Sequence, residues 1–150
     1  MSEFANDGPD VLPVLGWREW LVLPDLRIRH IKAKVDTGAR SSALHTHWQK
    51  VYTAEDGTAR VRFGLRPFRT RPEFEVACDE PVIDVRVVKD SGGHAEKRPF
   101  IQTTVRLGSW SWPAEMSLTN RETMLFRMLL GRSALSGRFL VDPARSYLLR

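Results

Sequence analysis

Cysteine is almost absent from this sequence of 150 residues, which contains Cys78 alone. A single cysteine cannot form a disulfide within the chain, and such chains are typical of a reducing compartment. Residues 1–7 also lack the basic start and the apolar core of a secretory signal peptide. We therefore expect a cytoplasmic protein, and one without a cysteine-rich zinc site.

Long hydrophobic runs and helical periodicity are scarce as well. No apolar run approaches the roughly 20 residues that a membrane-spanning helix needs, so no membrane association is expected. A single short helix is predicted over about residues 132–136, between Gly131 and Gly137. The remaining sequence consists of short runs rich in β-branched and aromatic residues, separated by turn signals, which predicts an all-β, barrel-like fold. We expect a disordered tail over residues 1–10 and one domain over residues 11–150.

Two short motifs of enzyme chemistry are missing. There is no Gly-x-x-x-x-Gly-Lys-[Ser/Thr] loop to bind a nucleotide, so any ATP dependence would belong to a partner. There is also no His-Glu-x-x-His string to place two zinc ligands on one helix face. His45 and His47 would project to one side of a predicted strand and could share a metal, with His94, Cys78 or an acid as the third ligand. No spacing enforces that set, so we assign no metal ligand and no cofactor, and keep a zinc-dependent hydrolase as an alternative.

The charge is strongly biased: the formal net charge is +5, and 18 of the 23 basic residues are arginine. Arginine favours bidentate contacts with carboxylates and phosphates. The partner is therefore expected to be acidic, either a carboxylate-rich peptide or a nucleic acid. The densest basic cluster, Arg66, Arg69 and Arg71 around Phe68, offers a ring for base stacking. It equally fits a solvated loop or the wall of a cleft, and we favour the peptide over nucleic acid.

The stretch with the most chemistry follows a predicted strand at residues 28–35. Apolar and polar residues alternate there, a period-2 pattern that indicates a half-buried strand. The strand runs directly into Asp36, whose carboxylate would project from the end of the sheet. Thr37 could hydrogen-bond the backbone that positions this acid, and Gly38 has no Cβ to prevent close approach of another segment. The stretch therefore suggests a catalytic aspartate.

Residues 36–39, Asp-Thr-Gly-Ala, resemble the active-site tetrapeptide of aspartic peptidases. Residues 128–132, Met-Leu-Leu-Gly-Arg, resemble the apolar-apolar-Gly-Arg segment that precedes the short helix of retroviral-type proteases. Residues 16–20, 32–45, 118–121 and 128–149 together resemble a bacterial group of retropepsin-like proteins. That group has carried the label of an ATP-dependent zinc protease, and its members often accompany ATP-grasp glutamate ligases. The resemblance covers roughly residues 13–149.

The resemblance implies a retropepsin-like closed β-barrel with one short helix near the C-terminus. It also implies a hydrolase of the aspartic peptidase type, with Asp36 as the catalytic acid and base. The residues that would shape and support the active-site loop are Thr37, Gly38, Ala39, Leu130 and Gly131.

Aspartic peptidases use two carboxylates that share one proton around a water. A chain of this length supplies one such motif, so we expect a homodimer in which two copies of Asp36 meet at a two-fold axis. The string Asp90-Ser91-Gly92 resembles the motif superficially, but its composition is that of a hairpin turn. That hairpin would be the flap that closes over the substrate. A second hairpin, over residues 139–149, is expected to contribute to the dimer interface.

Arg40 departs from the retroviral pattern. Retroviral-type enzymes usually carry an acid at this position, where it pairs with the downstream arginine, so Arg132 needs another partner here. We hypothesise that Arg40 contacts a carboxylate of an acidic or glutamylated peptide or protein, although a local acid would equally satisfy it. His45 and Arg132 are the other predicted substrate-binding residues. An ATP-grasp ligase would be a functional partner, and a non-catalytic module for acidic peptide or nucleic acid is the remaining alternative.

Overall fold

The fold is mostly β, as the sequence predicts. The computed structural model describes residues 11–90, 92–120 and 125–149, and 56% of these described residues are in strands. The predicted disordered tail at residues 1–10 lies outside the described residues, so the division into a tail and one domain stays a prediction. No helix in the described ranges is long and apolar enough to cross a membrane.

The described part of the chain contains twelve strands and one α-helix. The strands of the first half are β1 (Val14–Gly16), β2 (Arg18–Leu23), β3 (Ile28–Val35), β4 (Ser42–His45), β5 (Trp48–Thr53) and β6 (Ala59–Leu65). Those of the second half are β7 (Val76–Pro81), β8 (Asp84–Lys89), β9 (Ala95–Leu107), β10 (Trp110–Thr119), β11 (Met128–Leu130) and β12 (Leu140–Asp142). The predicted helix is present as α1 (Arg132–Leu135), and a 3-10 turn at Pro24–Leu26 joins β2 to β3.

Six strands close a barrel around the core. Their order is β10, β4, β11, β3, β2 and β9, and β9 pairs back onto β10. Closure removes the free edges that an open sheet would expose, and it confirms the predicted closed β-barrel. Outside the ring, β8 pairs with β9 as an antiparallel hairpin, while β5, β6 and β7 form a separate three-stranded sheet.

Aliphatic and aromatic side chains fill the barrel because its strands alternate inward and outward residues. In β3, Ile31, Ala33 and Val35 are buried and the residues between them are not, as the alternation in the sequence predicts. β11 lies between β3 and β4 and adds the buried Met128 and Leu130. Burial of this apolar surface, at about 25 cal/mol per Å², is the main stabilising term. The largest fully buried side chains are Phe63, Phe100, Leu15, Leu21, Leu23, Leu26, Ile28, Ile31, Leu44, Leu65, Ile101 and Leu107.

The C-terminal segment does not form the predicted hairpin. Leu140–Asp142 pairs in parallel with β1, and no strand follows it within the described residues. The backbone after it runs instead beside the start of β2, where Tyr147 N donates to Arg18 O at 3.0 Å. The approach is close enough that a Cβ on Gly16 would lie 2.3 Å from Arg145 O. The prediction was wrong because the pairing partner of this segment lies at the other end of the chain, which a local turn signal cannot indicate.

A buried carboxylate, Glu19 on β2, holds the C-terminal segment in place. Glu19 is fully buried, and its Oε2 accepts hydrogen bonds from Gly16 N at 2.6 Å and Leu148 N at 2.9 Å. Its Oε1 accepts another from Leu149 N at 3.2 Å. These backbone donors replace the water that the carboxylate gave up on burial. Glu19 therefore joins the first strands of the chain to its end.

Replacing Glu19 with alanine should lower the free energy of unfolding by at least about 3 kcal/mol, because buried N–H groups lose a charged acceptor. Urea unfolding followed by tryptophan fluorescence measures the change. The matched control is Glu75→Ala, because Glu75 forms an exposed ion pair with Arg66. This substitution should lower the free energy of unfolding by less than about 1 kcal/mol. Equal losses in the two variants would contradict the tethering role of Glu19.

Candidate active site

Asp36 lies immediately after β3, where the chain leaves the barrel. Its N–H donates to Leu130 O at 2.8 Å, which extends the pairing of β3 with β11 as far as the aspartate. Its Oδ1 accepts the N–H of Gly38 at 3.0 Å, and Ala39 N donates to Asp36 O at 3.2 Å. This is the hydrogen-bond pattern of an Asx turn. It leaves Asp36 half-buried, with Thr37 and Gly38 exposed beside it.

Gly131 fits beneath the aspartate loop because it has no side chain. A Cβ built there would lie 2.5 Å from Ser41 O, which is closer than real Cβ atoms come to other heavy atoms, and 3.0 Å from Ala39 O. The N–H of Gly131 donates to Ser42 Oγ at 3.0 Å in a buried hydrogen bond. Both residues that the sequence assigns to loop support, Leu130 and Gly131, therefore contact the loop directly.

Arg132 finds its partner in the backbone of the loop. Its NH1 donates to Thr37 O at 3.0 Å, and its backbone N–H donates to Ala39 O at 2.8 Å. The next residue, Ser133, donates its N–H to Arg40 O at 3.0 Å. The backbone carbonyl of Thr37 thus accepts the hydrogen bond that this arginine would donate to an acidic side chain in the retroviral pattern. The first turn of α1 is consequently bonded to the loop at three points.

Asp36 lines a cavity of about 320 Å³ that the β8–β9 hairpin also borders. Val88 and Lys89 contribute the hairpin side of this space, which we call the aspartate cavity. The same two residues line a second space of about 730 Å³, the outer cavity, which reaches Arg40 and Arg132. The β8–β9 hairpin therefore lies in the position that a flap over the aspartate would occupy.

The aspartate cavity includes charged residues that the sequence did not identify as site residues: Lys89, Asp90 and Arg98. Asp90 does lie in the predicted turn, since its N–H donates to His94 O and its Oδ1 accepts His94 N, each at 2.9 Å. Its side chain is nevertheless only 16% exposed. Ser91, in the same turn, lies outside the described residues. Arg98 lies near the start of β9, where no local signal in the sequence distinguishes it from other strand residues.

The zinc alternative gains no ligand set from the structure. His45 is buried at the end of β4 and lines neither cavity, whereas Arg40 and Arg132 line the outer cavity. His47 lies beyond β4, at a bend before β5, rather than farther along one strand. No group of three or more His, Cys, Asp or Glu side chains in the described part of the chain could hold a metal ion.

The basic cluster at residues 66–71 is engaged within its own loop. Arg66 pairs with Glu75 at 3.3 Å, and the ring of Phe68 packs edge-on against Phe74 with centroids 5.6 Å apart. A paired guanidinium and a packed ring are less available for phosphates and bases. The geometry favours a solvated loop over a nucleic-acid interface.

A closed β-barrel with an aspartate loop at the end of one strand, a Leu-Gly-Arg segment beneath the loop and a hairpin beside it defines a retropepsin-like protein. A family model described as "Retropepsin-like aspartic endopeptidase RimB" matches residues 14–150. The chain therefore belongs to the RimB-like family, which confirms the resemblance seen in its motifs.

Curated relatives carry the name "Probable alpha-L-glutamate ligase". The chain is 41% identical over 136 residues to the one from Shewanella halifaxensis, which covers 91% of this chain and 30% of the relative. It is 41% identical over 131 residues to the one from Desulfotalea psychrophila, which covers 87% of this chain and 28% of the relative. The chain thus spans less than a third of these relatives. Their names agree with the association with glutamate ligases that the resemblance implies.

A solved structure supports the fold assignment. Lpg0085 of Legionella pneumophila, a protein of unknown function, matches with a TM-score of 0.74 and 26% sequence identity. The match covers 91% of this chain and 97% of that chain.

Gly131→Ala should lower the free energy of unfolding by about 1–3 kcal/mol, because the new Cβ would press on backbone atoms of the aspartate loop. Gly38→Ala is the matched control in the same loop. Its Cβ would meet the Asp36 carboxylate at 3.3 Å, and because a side chain can shift we expect a loss below about 1 kcal/mol. Urea unfolding compares the two variants. A larger loss for Gly38→Ala would contradict the support role of Gly131.

Cys78 should be unreactive in the native protein. It is buried on β7, and this burial raises the pKa of its thiol to about 11. Because the thiolate is the reactive and metal-binding form, labelling by a thiol reagent at about pH 8 should be at least about 100-fold slower than in urea-unfolded protein. Fast native labelling, or protection of the thiol by added zinc, would contradict this structural role.

Proposed function

We propose that this protein is a cytoplasmic aspartic peptidase that hydrolyses peptide bonds with a water activated by Asp36. The observation that carries the proposal is the position of the Asp36 side chain, which borders a cavity beside a β-hairpin at the end of a retropepsin-like barrel. A hairpin in this place can cover a bound peptide and exclude bulk water. The cytoplasmic assignment is supported by the single cysteine, which is buried and free.

The reaction requires a second carboxylate, which we propose to be Asp36 of a second copy of the chain. Two carboxylates about 3 Å apart cannot both ionise easily, so one stays protonated while the other takes a proton from the water. The protonated one can then donate to the scissile carbonyl. The exposure of Thr37 and Gly38 beside Asp36 supports a two-fold contact at this loop. Asp90, the other described acid that lines this cavity, uses its Oδ1 within the hairpin turn.

The charge around the two cavities supports an acidic or glutamylated peptide or protein as the substrate. The lining has more cations than acids, and such a cleft attracts negatively charged ligands. Arg40, which the sequence suggests for carboxylate binding, is exposed at the outer cavity. The charged residues that line the cavities are Arg40, Arg86, Lys89, Arg98 and Arg132 against Asp36, Asp90 and Glu115.

The names of the relatives support the choice of glutamate. The chain matches about 30% of proteins named as glutamate ligases, so those relatives combine a segment similar to this chain with a larger unmatched part. Ligation is not proposed for this chain, because the larger part is where we expect the ligase chemistry to lie. The presence of both parts in one relative supports a functional link between them. In this link an ATP-grasp ligase adds glutamate residues and this protein removes them.

Asp36→Asn should lower kcat on a glutamate-rich peptide by at least about 10³-fold, since the amide cannot accept or donate the shared proton. The fold should survive, because asparagine keeps an oxygen to accept the N–H of Gly38. Mass spectrometry of the peptide products measures cleavage, and thermal unfolding followed by circular dichroism checks the fold. Binding of the peptide by the unaltered protein without any cleavage would overturn the proposal in favour of a non-catalytic module.

Mixing the two forms tests the paired site. Equal amounts of unaltered and Asp36→Asn chains, refolded together, should show about one quarter of the activity of the unaltered protein at the same total concentration, because about one quarter of the dimers carry both aspartates. Separately refolded and then combined samples are the control. About one half of the activity in the refolded mixture would show that each chain acts alone, and would contradict the shared mechanism.

A further inference from the structure

Arg98 is a charged residue in an unusual position. It lies on β9, its side chain is only 7% exposed, and it lines the same cavity as Asp36. Burial of a guanidinium is unfavourable unless its donors are satisfied. Its cross-strand neighbour Arg86 keeps a side-chain exposure of 42%. The fold therefore buries one arginine of this hairpin in the wall of the cavity that Asp36 also lines.

Hydrogen bonds hold the guanidinium of Arg98 in one orientation. Its Nε donates to Glu96 Oε1 at 2.6 Å, and its NH1 donates to Ser117 Oγ at 3.2 Å. Glu96 is itself positioned, because the same oxygen accepts a bond from Thr119 Oγ1 at 2.8 Å. Ser117 in turn donates to Ser42 O at 3.1 Å. The arginine is thus fixed to β10 and, through it, to β4, so little conformational freedom remains to be lost when a ligand binds.

These hydrogen bonds leave part of the guanidinium for a ligand. Arginine has five N–H donors in a planar fork, and the bonds of Arg98 to described residues use Nε and NH1. The NH2 group keeps its donors for a group that enters the cavity. A carboxylate can accept N–H bonds from such an edge, with more strength than a neutral acceptor. A fixed guanidinium with donors to spare is therefore suited to bind a carboxylate.

Charged side chains of both signs surround Arg98. The aspartate cavity is lined by two cations, Lys89 and Arg98, and two acids, Asp36 and Asp90. Asp90 is held in the hairpin turn through its Oδ1. In the proposed mechanism Asp36 shares a proton with its copy, so the pair carries about one negative charge rather than two. Because Glu96 already pairs with Arg98 at 2.6 Å, binding of a carboxylate depends on the remaining N–H donors of Arg98 and on the nearby Lys89, not on a net positive charge.

We propose that Arg98 is a specificity-determining residue that binds the side-chain carboxylate of a glutamate next to the scissile bond. The inference rests on the proposed peptidase function and deepens it, because it assigns the preference for acidic peptides to one side chain. It is distinct from the hypothesis for Arg40, which is exposed at the outer cavity. Arg98 is buried and oriented before the substrate arrives.

Binding to the Asp36→Asn variant tests this role without turnover. The probes are tetraglutamate and tetraglutamine peptides, both acetylated and amidated, which differ in side-chain charge alone. Isothermal titration calorimetry gives the Kd of each peptide with and without Arg98→Gln in that variant. We expect Arg98→Gln to weaken tetraglutamate binding by about 10- to 100-fold and to change tetraglutamine binding by less than about threefold.

Further variants separate recognition from structure. Arg98→Lys keeps the charge but loses the fork, so it should retain part of the affinity for tetraglutamate. Arg106→Gln is the matched control, because Arg106 is exposed on the same strand and lines neither cavity; both Kd values should stay unchanged. Should Arg98→Gln unfold because Glu96 loses its partner, the double variant Glu96→Gln/Arg98→Gln neutralises the pair together and carries the same comparison.

The possible results distinguish the two proposals. Equal weakening of both peptides by Arg98→Gln, or no weakening of either, would overturn the role of Arg98. A third peptide, tetraglutamine with a free C-terminus, tests whether a terminal carboxylate is bound instead. If it binds as tightly as tetraglutamate and its binding also depends on Arg98, the side-chain assignment is overturned in favour of a terminal carboxylate. Discrimination by Arg98 without Asp36-dependent cleavage would support the carboxylate site and refute the peptidase. Asp36-dependent cleavage whose preference for glutamate survives Arg98→Gln would refute the site alone.

Discussion

The hydrogen bond from Asp36 N to Leu130 O is the contact on which the candidate site depends. It joins the ends of β3 and β11, which are far apart in the chain and adjacent in the barrel. Because Gly131 has no side chain, Ser41 O can approach it closely. The backbone N–H groups at the start of α1 can then donate hydrogen bonds to carbonyls of the aspartate loop. Arg132 adds its own bond to Thr37 O. Backbone hydrogen bonds therefore fix the position of the Asp36 carboxylate, as the proposed chemistry requires.

The barrel also explains why the wall of the cavity can carry a buried charge. One part of β9 closes the ring against β10, while its first residues pair with β8 in the hairpin. Arg98 lies on the hairpin part, close enough to the ring for Ser117 of β10 to accept its hydrogen bond. The same strand thus supports the fold and borders the substrate space. Recognition of a carboxylate at this point would be coupled to the position of the hairpin over Asp36.

Much of the fold was predictable because its signals are local. Alternation in β3 identifies its buried face, and glycines bracket α1 at Gly131 and Gly137. The Asp-Thr-Gly-Ala and Leu-Gly-Arg strings indicated the family, and two of their residues have contacts that depend on residue type: the Asp36 side chain accepts the N–H of Gly38, and a side chain at Gly131 would meet Ser41 O. The C-terminal hairpin was predicted wrongly, since the segment is held by the carboxylate of Glu19 and not by a neighbouring strand. The zinc alternative treated His45 and His47 as neighbours on one strand, but β4 ends between them.

The strand, the Asx turn and the acid of the aspartate loop follow from residues that are consecutive in the chain, so the sequence alone indicates Asp36. The surroundings of that acid do not follow in the same way. Lys89, Asp90 and Arg98 border the cavity because the strands of a closed sheet pair in one register, set by hydrogen bonds between distant segments. A shift of one residue would turn each inward side chain outward. For this physical reason the sequence does not distinguish Arg98 from other strand residues, and only the closed barrel shows that it lines the same cavity as Asp36.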